Sequence, residues 1–74
     1  MEFNYDIKKR IAVLSESGNG AFTTEVNLIS FNGAEPKLDI RKWDKRTDRM
    51  LKGIALDGEE VEALKKAHLH LEEK

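Results

Sequence analysis

The stretch Lys37-Leu38-Asp39-Ile40-Arg41-Lys42-Trp43 decides the fold, because its apolar and polar side chains alternate. Successive side chains of a β-strand point to opposite faces, so Leu38 and Ile40 share one face. The other face carries a polar and aromatic set: Lys37, Asp39, Arg41 and Trp43. The alternation predicts a strand with its aliphatic side toward the core and the only tryptophan of the chain on the opposite, exposed side.

Three further extended segments lie around this strand, and each is bounded by turn-forming residues. Residues 5–15 and 22–31 precede it, while residues 50–56 follow it. All three are rich in β-branched or other apolar side chains, which favour strands. The last segment contains Gly53, and a glycine inside a strand often marks a bulge or a close backbone approach.

The final segment changes to a helical period. Apolar positions recur at spacings of three and four, which predicts one helix stripe made of Val61, Leu64, His68 and Leu71. Asp57 and Glu60 have the spacing of a capping box at the helix start. The sequence thus predicts an α+β fold: an antiparallel four-stranded meander followed by one helix, in a single domain of residues 1–74. One helix covers one sheet face, so the other face meets water or a ligand.

Length limits the stability of the chain. A core built from 74 residues stabilises a fold by only about 3–5 kcal/mol. The absence of cysteine excludes disulfides and a cysteine-based zinc site, and it is typical of a reducing cytoplasm. Oligomerisation is the remaining common route to extra buried surface. No apolar run reaches the length of a membrane span, and no signal peptide is expected.

Charge is distributed unevenly along the chain. The net charge is −1, but residues 37–52 carry seven basic and three acidic groups, and both flanking regions are acidic. A basic block of this kind attracts polyanions even in a slightly acidic protein. The alternative is an ordinary solvated surface with interspersed charges.

An aromatic ring among cations on an open sheet face suits unpaired nucleotides, because the ring stacks on bases and the cations neutralise phosphates. Trp43 has this setting, although packing under a loop or in a dimer interface is an equal alternative on pattern alone. Phe22 and Phe31 lie at strand ends, where an aromatic ring serves either as a stacking platform or as a core plug. Lys9 either widens a basic groove or belongs to a solvated edge strand.

The sequence contains few residues in arrangements that are typical of catalysis. His68 and His70 are the only histidines, and a separation of two residues places them about 200° apart on a helix. There is no nucleophile turn and no phosphate-binding glycine motif. We therefore expect no enzyme, no metal, no cofactor and no small-molecule substrate.

The strand at 37–43, the later Lys52-Gly53-Ile54 and the acidic helix start together resemble the transcriptional coactivator family called positive cofactor four, especially its short bacterial YdbC-type members. The likeness runs from Thr24 to Leu71. It implies a ββββα protomer with a curved sheet and a homodimer built largely through the C-terminal helices. It also implies grooves that hold unpaired DNA with little sequence preference.

Carried over position by position, the resemblance places Phe31 on an aromatic used against bases, and Arg41 and Lys52 on basic positions that face DNA. Trp43 falls one position early in the family's aromatic pair, and Asp44 takes the second place, so a bulge or a one-residue shift is needed. The full set of candidate nucleic-acid-binding residues is Lys9, Phe22, Phe31, Lys37, Arg41, Trp43, Lys45, Arg49 and Lys52. The candidate dimer interface comprises Val61, Leu64, His68 and Leu71.

Residues and resemblance together predict a sequence-nonspecific single-stranded DNA-binding homodimer that uses the exposed sheet face. Such a protein acts in transcription, replication or repair, in the cytoplasm and associated with the nucleoid. RNA is an alternative ligand, since stacking and phosphate contacts do not select the sugar. A second alternative is a protein–protein module whose aromatic face grips a peptide or a protein.

Overall fold

A computed structural model describes residues 4–71 as four strands followed by one helix. The elements are β1 (Tyr5–Glu16), β2 (Phe22–Phe31), β3 (Lys37–Asp44), β4 (Arg49–Leu56) and α1 (Gly58–Leu71). Neighbouring strands pair antiparallel in chain order and form one open sheet. The predicted α+β meander with a C-terminal helix is confirmed.

The sheet is strongly curved, as predicted. Tyr5 pairs with Phe31 at one end of β2, and Trp43 pairs with Thr23 at the other end. At the usual rise of a strand, these two positions of β2 would lie about 26 Å apart in a flat sheet. The ring centroids of Tyr5 and Trp43 are nevertheless 5.8 Å apart. The sheet is therefore bent so that the side chains of Tyr5 and Trp43, at diagonally opposite corners, come into contact. The face that carries Trp43 is concave.

Register shifts in β1 contribute to this curvature. They occur between Ile7 and Lys9 and recur twice further along the strand. Each bulge adds one residue and increases the local bend. The side chains of β1 therefore meet the concave face about every third residue instead of every second one.

The concave face forms the core of the domain. Its largest fully buried side chains are Trp43, Ile29, Asn27 and Asp39. The expectation that Trp43 lies on an exposed face is wrong, because its side chain is only 1% exposed. The parity prediction is correct, since Trp43 does lie opposite Leu38 and Ile40. Because the sheet curls, the side chains on this face cover one another, whereas a flat sheet would leave them exposed to water.

The convex face, by contrast, is apolar and open. Leu38 and Ile40 are half-buried there, and Ile54 of β4 is exposed. The helix α1 contacts mainly β4, and none of its residues is buried. A single helix thus leaves much of this apolar face uncovered.

The helix begins with the predicted capping box. The Asp57 backbone N–H donates to Glu60 Oε1 at 3.0 Å, and the Glu60 backbone N–H donates to Asp57 Oδ1 at 2.9 Å. This reciprocal pair satisfies two donors that the first turn would otherwise leave open. Among residues 4–71, no helix is long and apolar enough to cross a membrane.

Candidate nucleic-acid interface

Arg41 is held in a fixed orientation on the concave face. Its Nε and Nη2 donate to Asp39 Oδ2 and Oδ1, both at 2.6 Å, and Nη1 donates to the Leu51 carbonyl oxygen at 3.3 Å. Asp39 is fully buried, while the Arg41 side chain keeps 15% of its surface exposed. A two-point pair fixes the plane of the guanidinium. Arg41 is therefore preorganised, and Asp39 balances its charge.

Phe31 and Arg41 form a joint aromatic and cationic surface. The Arg41 guanidinium carbon lies 5.7 Å from the centroid of the Phe31 ring, within the range of a cation–π contact. Phe31 is half-buried at the end of β2. The fold thus brings together two predicted site residues that lie on different strands.

Gly53 allows Arg41 to occupy this position. The two residues are direct partners across β3 and β4, next to a bulge in β4. A Cβ at Gly53 would overlap Arg41 Cβ and lie 2.6 Å from Arg41 Cα. Both structural meanings predicted for Gly53, the bulge and the close approach, are confirmed.

Trp43 lies between Tyr5 and Lys45. The Tyr5 ring is tilted by 60° against it, and Lys45 Nζ is 5.9 Å from its centroid. The buried indole N–H has no acceptor among residues 4–71. The free protein therefore covers the ring that a stacked base would need. Tyr5 was not among the predicted site residues, since only the curl of the sheet brings the start of β1 to Trp43.

Glu25 is the centre of a buried polar cluster on the same face. Its Oε2 accepts from Thr23 Oγ1 at 2.6 Å and lies 3.3 Å from Lys45 Nζ. Its Oε1 accepts from Asn27 Nδ2 at 3.4 Å and lies 3.8 Å from Arg10 Nη1. Burial alone would raise the pKa of Glu25, but hydrogen bonds from Thr23, Asn27 and Lys45 outweigh it and lower the pKa. An open pocket of about 520 Å³ adjoins the cluster.

Basic residues other than Arg41 and Lys45 lie on both faces of the sheet. Lys37 is exposed on the concave side, as its partner Ile29 shows, whereas Arg49 pairs with Asp44, the partner of Phe22, and so lies on the convex side. Arg10, which pairs with Asn27 on the concave face, was not among the predicted site residues because β1 does not alternate regularly. No part of the described chain, residues 4–71, groups three metal-ligating side chains.

Two further predicted cations, Lys9 and Lys52, also lie on the convex face. Lys9 pairs with Leu28 on the convex side, because the first bulge of β1 separates it from Ile7, which faces the concave side. Lys52 lies in the bulge of β4, two residues before Ile54, so alternation places it on the convex side. Both residues therefore lie on the face opposite to Arg41, and Lys52 shares the side of Ile54 as its parity in the sequence indicates.

Phe22 also lies apart from Phe31. It pairs with Asp44, and its exposed ring contacts the Arg46 guanidinium at 4.8 Å. Arg46 Nη2 donates to Asp44 Oδ2 at 3.0 Å, and the hydrogen bonds from Arg46 lower the pKa of Asp44. Phe22 therefore belongs to a separate cluster at the end of the sheet, on the convex side.

The four candidate interface residues do lie together. With sheet residues of the convex face they line an open groove of about 800 Å³ whose wall is almost entirely apolar. From the helix come Val61, Leu64, His68 and Leu71. This groove lies on the opposite side of the sheet from Arg41.

Comparison with known proteins found two similarities. Residues 22–67, from the start of β2 into α1, match the family described as Transcriptional Coactivator p15 (PC4). The chain is also 39% identical over 64 residues to an uncharacterized protein of Treponema pallidum (strain Nichols). That alignment covers 86% of this chain and 74% of the relative.

Proposed function

Because this chain belongs to the Transcriptional Coactivator p15 (PC4) family, whose name points to nucleic-acid binding and a coactivator-like function, we propose that it binds single-stranded DNA without sequence preference. In this proposal it acts as a homodimer and has no enzymatic activity. Its ligands are DNA strands exposed wherever a duplex is melted, in transcription, replication or repair. In this proposal the protein binds DNA in the cytoplasm, in association with the nucleoid.

The observation that carries the proposal is the joint surface of Phe31 and Arg41. Their 5.7 Å contact places a stacking ring beside a fixed donor for phosphate. Lys37, Lys45 and Arg10 add positive charge on the same face. Stacking on any base together with charge along the backbone favours unpaired strands and requires no base-specific contact.

The apolar groove on the convex face supports the homodimer. Leu64 is 41% exposed in the protomer, and the sheet residues opposite it are only half-buried. Two copies that pair through these grooves would bury the same surface on both sides, as a twofold interface requires. The added burial would also stabilise a domain whose own core is small.

Titration with labelled oligo-dT, an RNA oligonucleotide and duplex DNA at matched salt tests the proposal. We expect oligo-dT to bind best, with an affinity that falls steeply as salt is added and with a change in Trp43 fluorescence. Stronger binding of RNA would favour the RNA alternative. Equal binding of duplex DNA would refute the preference for single strands. No binding of any oligonucleotide at low salt would refute the proposal and favour a protein partner.

A matched pair of substitutions locates the surface. Phe31→Leu keeps an apolar side chain but removes the ring, and we expect a roughly tenfold loss of affinity for oligo-dT. Phe22→Leu makes the same change on the convex side and should have little effect. Equal losses in the two variants would show that the Phe31–Arg41 surface is not the binding site.

A further inference from the structure

We propose that Glu25 restrains Lys45 over Trp43 in the free protein, and that a phosphate of the bound strand must draw Lys45 away from this carboxylate. Glu25 then sets the affinity of the site by competing with nucleic acid for one cation. The inference rests on the proposed single-strand binding and concerns the regulation of that same site.

Lys45 is placed to exchange partners. Its Nζ lies 3.3 Å from Glu25 Oε2 and 5.9 Å from the centroid of the Trp43 ring, and a third of its side chain is exposed. Its backbone N–H donates to the Ala21 carbonyl oxygen at 2.7 Å, which anchors the main chain. Rotation of the side chain alone is therefore enough to move the ammonium group from the carboxylate to a phosphate.

Glu25 does not become an isolated buried charge when Lys45 leaves. Thr23 Oγ1 still donates to it at 2.6 Å, and Asn27 Nδ2 donates to the other oxygen at 3.4 Å. Arg10 Nη1 stays within 3.8 Å of Glu25 and can balance its charge. Because these partners remain, losing Lys45 does not carry the full cost of an unpaired buried carboxylate.

Departure of Lys45 would also uncover Trp43. The ring is closed by Lys45 above it and by Tyr5 beside it. Its buried N–H, which lacks an acceptor among residues 4–71, would then meet a base or a water molecule. The same exchange thus frees a cation for a phosphate and a ring face for the adjoining base.

Glu25→Gln tests the competition directly, with Glu59→Gln on the exposed helix start as the control. Both variants change the net charge equally, but only the first removes the restraint on Lys45. We expect Glu25→Gln to bind oligo-dT about three- to tenfold more tightly than wild type, and Glu59→Gln to differ by less than twofold. Acrylamide should also quench Trp43 more strongly in free Glu25→Gln.

The result that would overturn this inference differs from the result that would overturn the proposed function. If wild type binds oligo-dT but Glu25→Gln binds no better than Glu59→Gln, the competition does not exist. If wild type does not bind at all, the proposed function itself fails.

A second variant keeps the test decisive if circular dichroism shows that Glu25→Gln is unfolded. Lys45→Ala should make Trp43 more accessible to acrylamide in the free protein. It should also reduce the magnitude of the salt slope for oligo-dT by about 0.7, the value for one lost phosphate contact. Lys66→Ala on the helix is the control. Unchanged quenching or an unchanged slope in Lys45→Ala would overturn the inference.

Discussion

Replacing Gly53 by alanine should remove most of the stability of this protein. The added methyl group would overlap Arg41 Cβ and lie 2.6 Å from Arg41 Cα and 2.7 Å from the Ile40 carbonyl oxygen. Two of these three atoms belong to the backbone and the third is attached to it, so no side-chain rotation relieves the overlap. β4 must move away from β3 where the two strands position Arg41.

The expected cost follows from the nature of this overlap. Overpacking a well-filled site costs about 1–3 kcal/mol, and contact with backbone atoms places Gly53→Ala near the upper end. A domain of this size has only about 3–5 kcal/mol from its core. At about 4–8 °C per kcal/mol, the melting temperature should fall by roughly 10–20 °C.

Thermal and urea unfolding followed by circular dichroism and by Trp43 fluorescence provide the measurement. Gly18→Ala is the control, since a Cβ at Gly18 meets no atom within 4 Å and its φ is not positive. We expect this variant to stay within about 0.5 kcal/mol of wild type. Similar stability of the two variants would refute the close approach of β3 and β4 at Gly53.

Three further predictions follow from the same geometry. Arg41→Ala leaves the Asp39 carboxylate buried without its cation and should lower the free energy of unfolding in urea by about 3 kcal/mol. Adding Asp39→Asn to this variant should restore part of the lost stability. An Arg41→Ala variant as stable as wild type would contradict the buried ion pair. Leu64→Asp should convert the proposed homodimer to a monomer in sedimentation, whereas Leu69→Asp, at a 67% exposed position outside the groove, should not. A monomeric wild type would contradict the proposed interface. The fold lowers the pKa of Glu25 below its ordinary 4.5, so its stabilisation is complete above that value and is lost as the pH falls through the lowered pKa. Thermal melts between pH 7 and 3 should show a shallower acid loss in Glu25→Gln, and identical profiles would contradict the role of Glu25.

The local sequence pattern by itself determined the secondary-structure elements of this protein. The alternation at 37–43, the capping box at Asp57 and the glycine at 53 each depend on neighbours in the chain or on the pleat of one strand. Their structural meanings are therefore readable before any tertiary contact is known. The same holds for the apolar stripe of the helix, whose four predicted residues do line one groove.

Only the tertiary structure decided which face of the sheet is inside. Three irregularities in β1 and one in β4 change the side to which later residues point, and nothing in the sequence marks their positions in β1. Lys9 and Arg49 therefore lie on the face opposite to Arg41. The resulting curl brings Tyr5 and Lys45 onto Trp43, whose burial no alternation pattern could predict. The physical reason is that alternation reports the side of a strand, whereas burial depends on how far the whole sheet bends around that side.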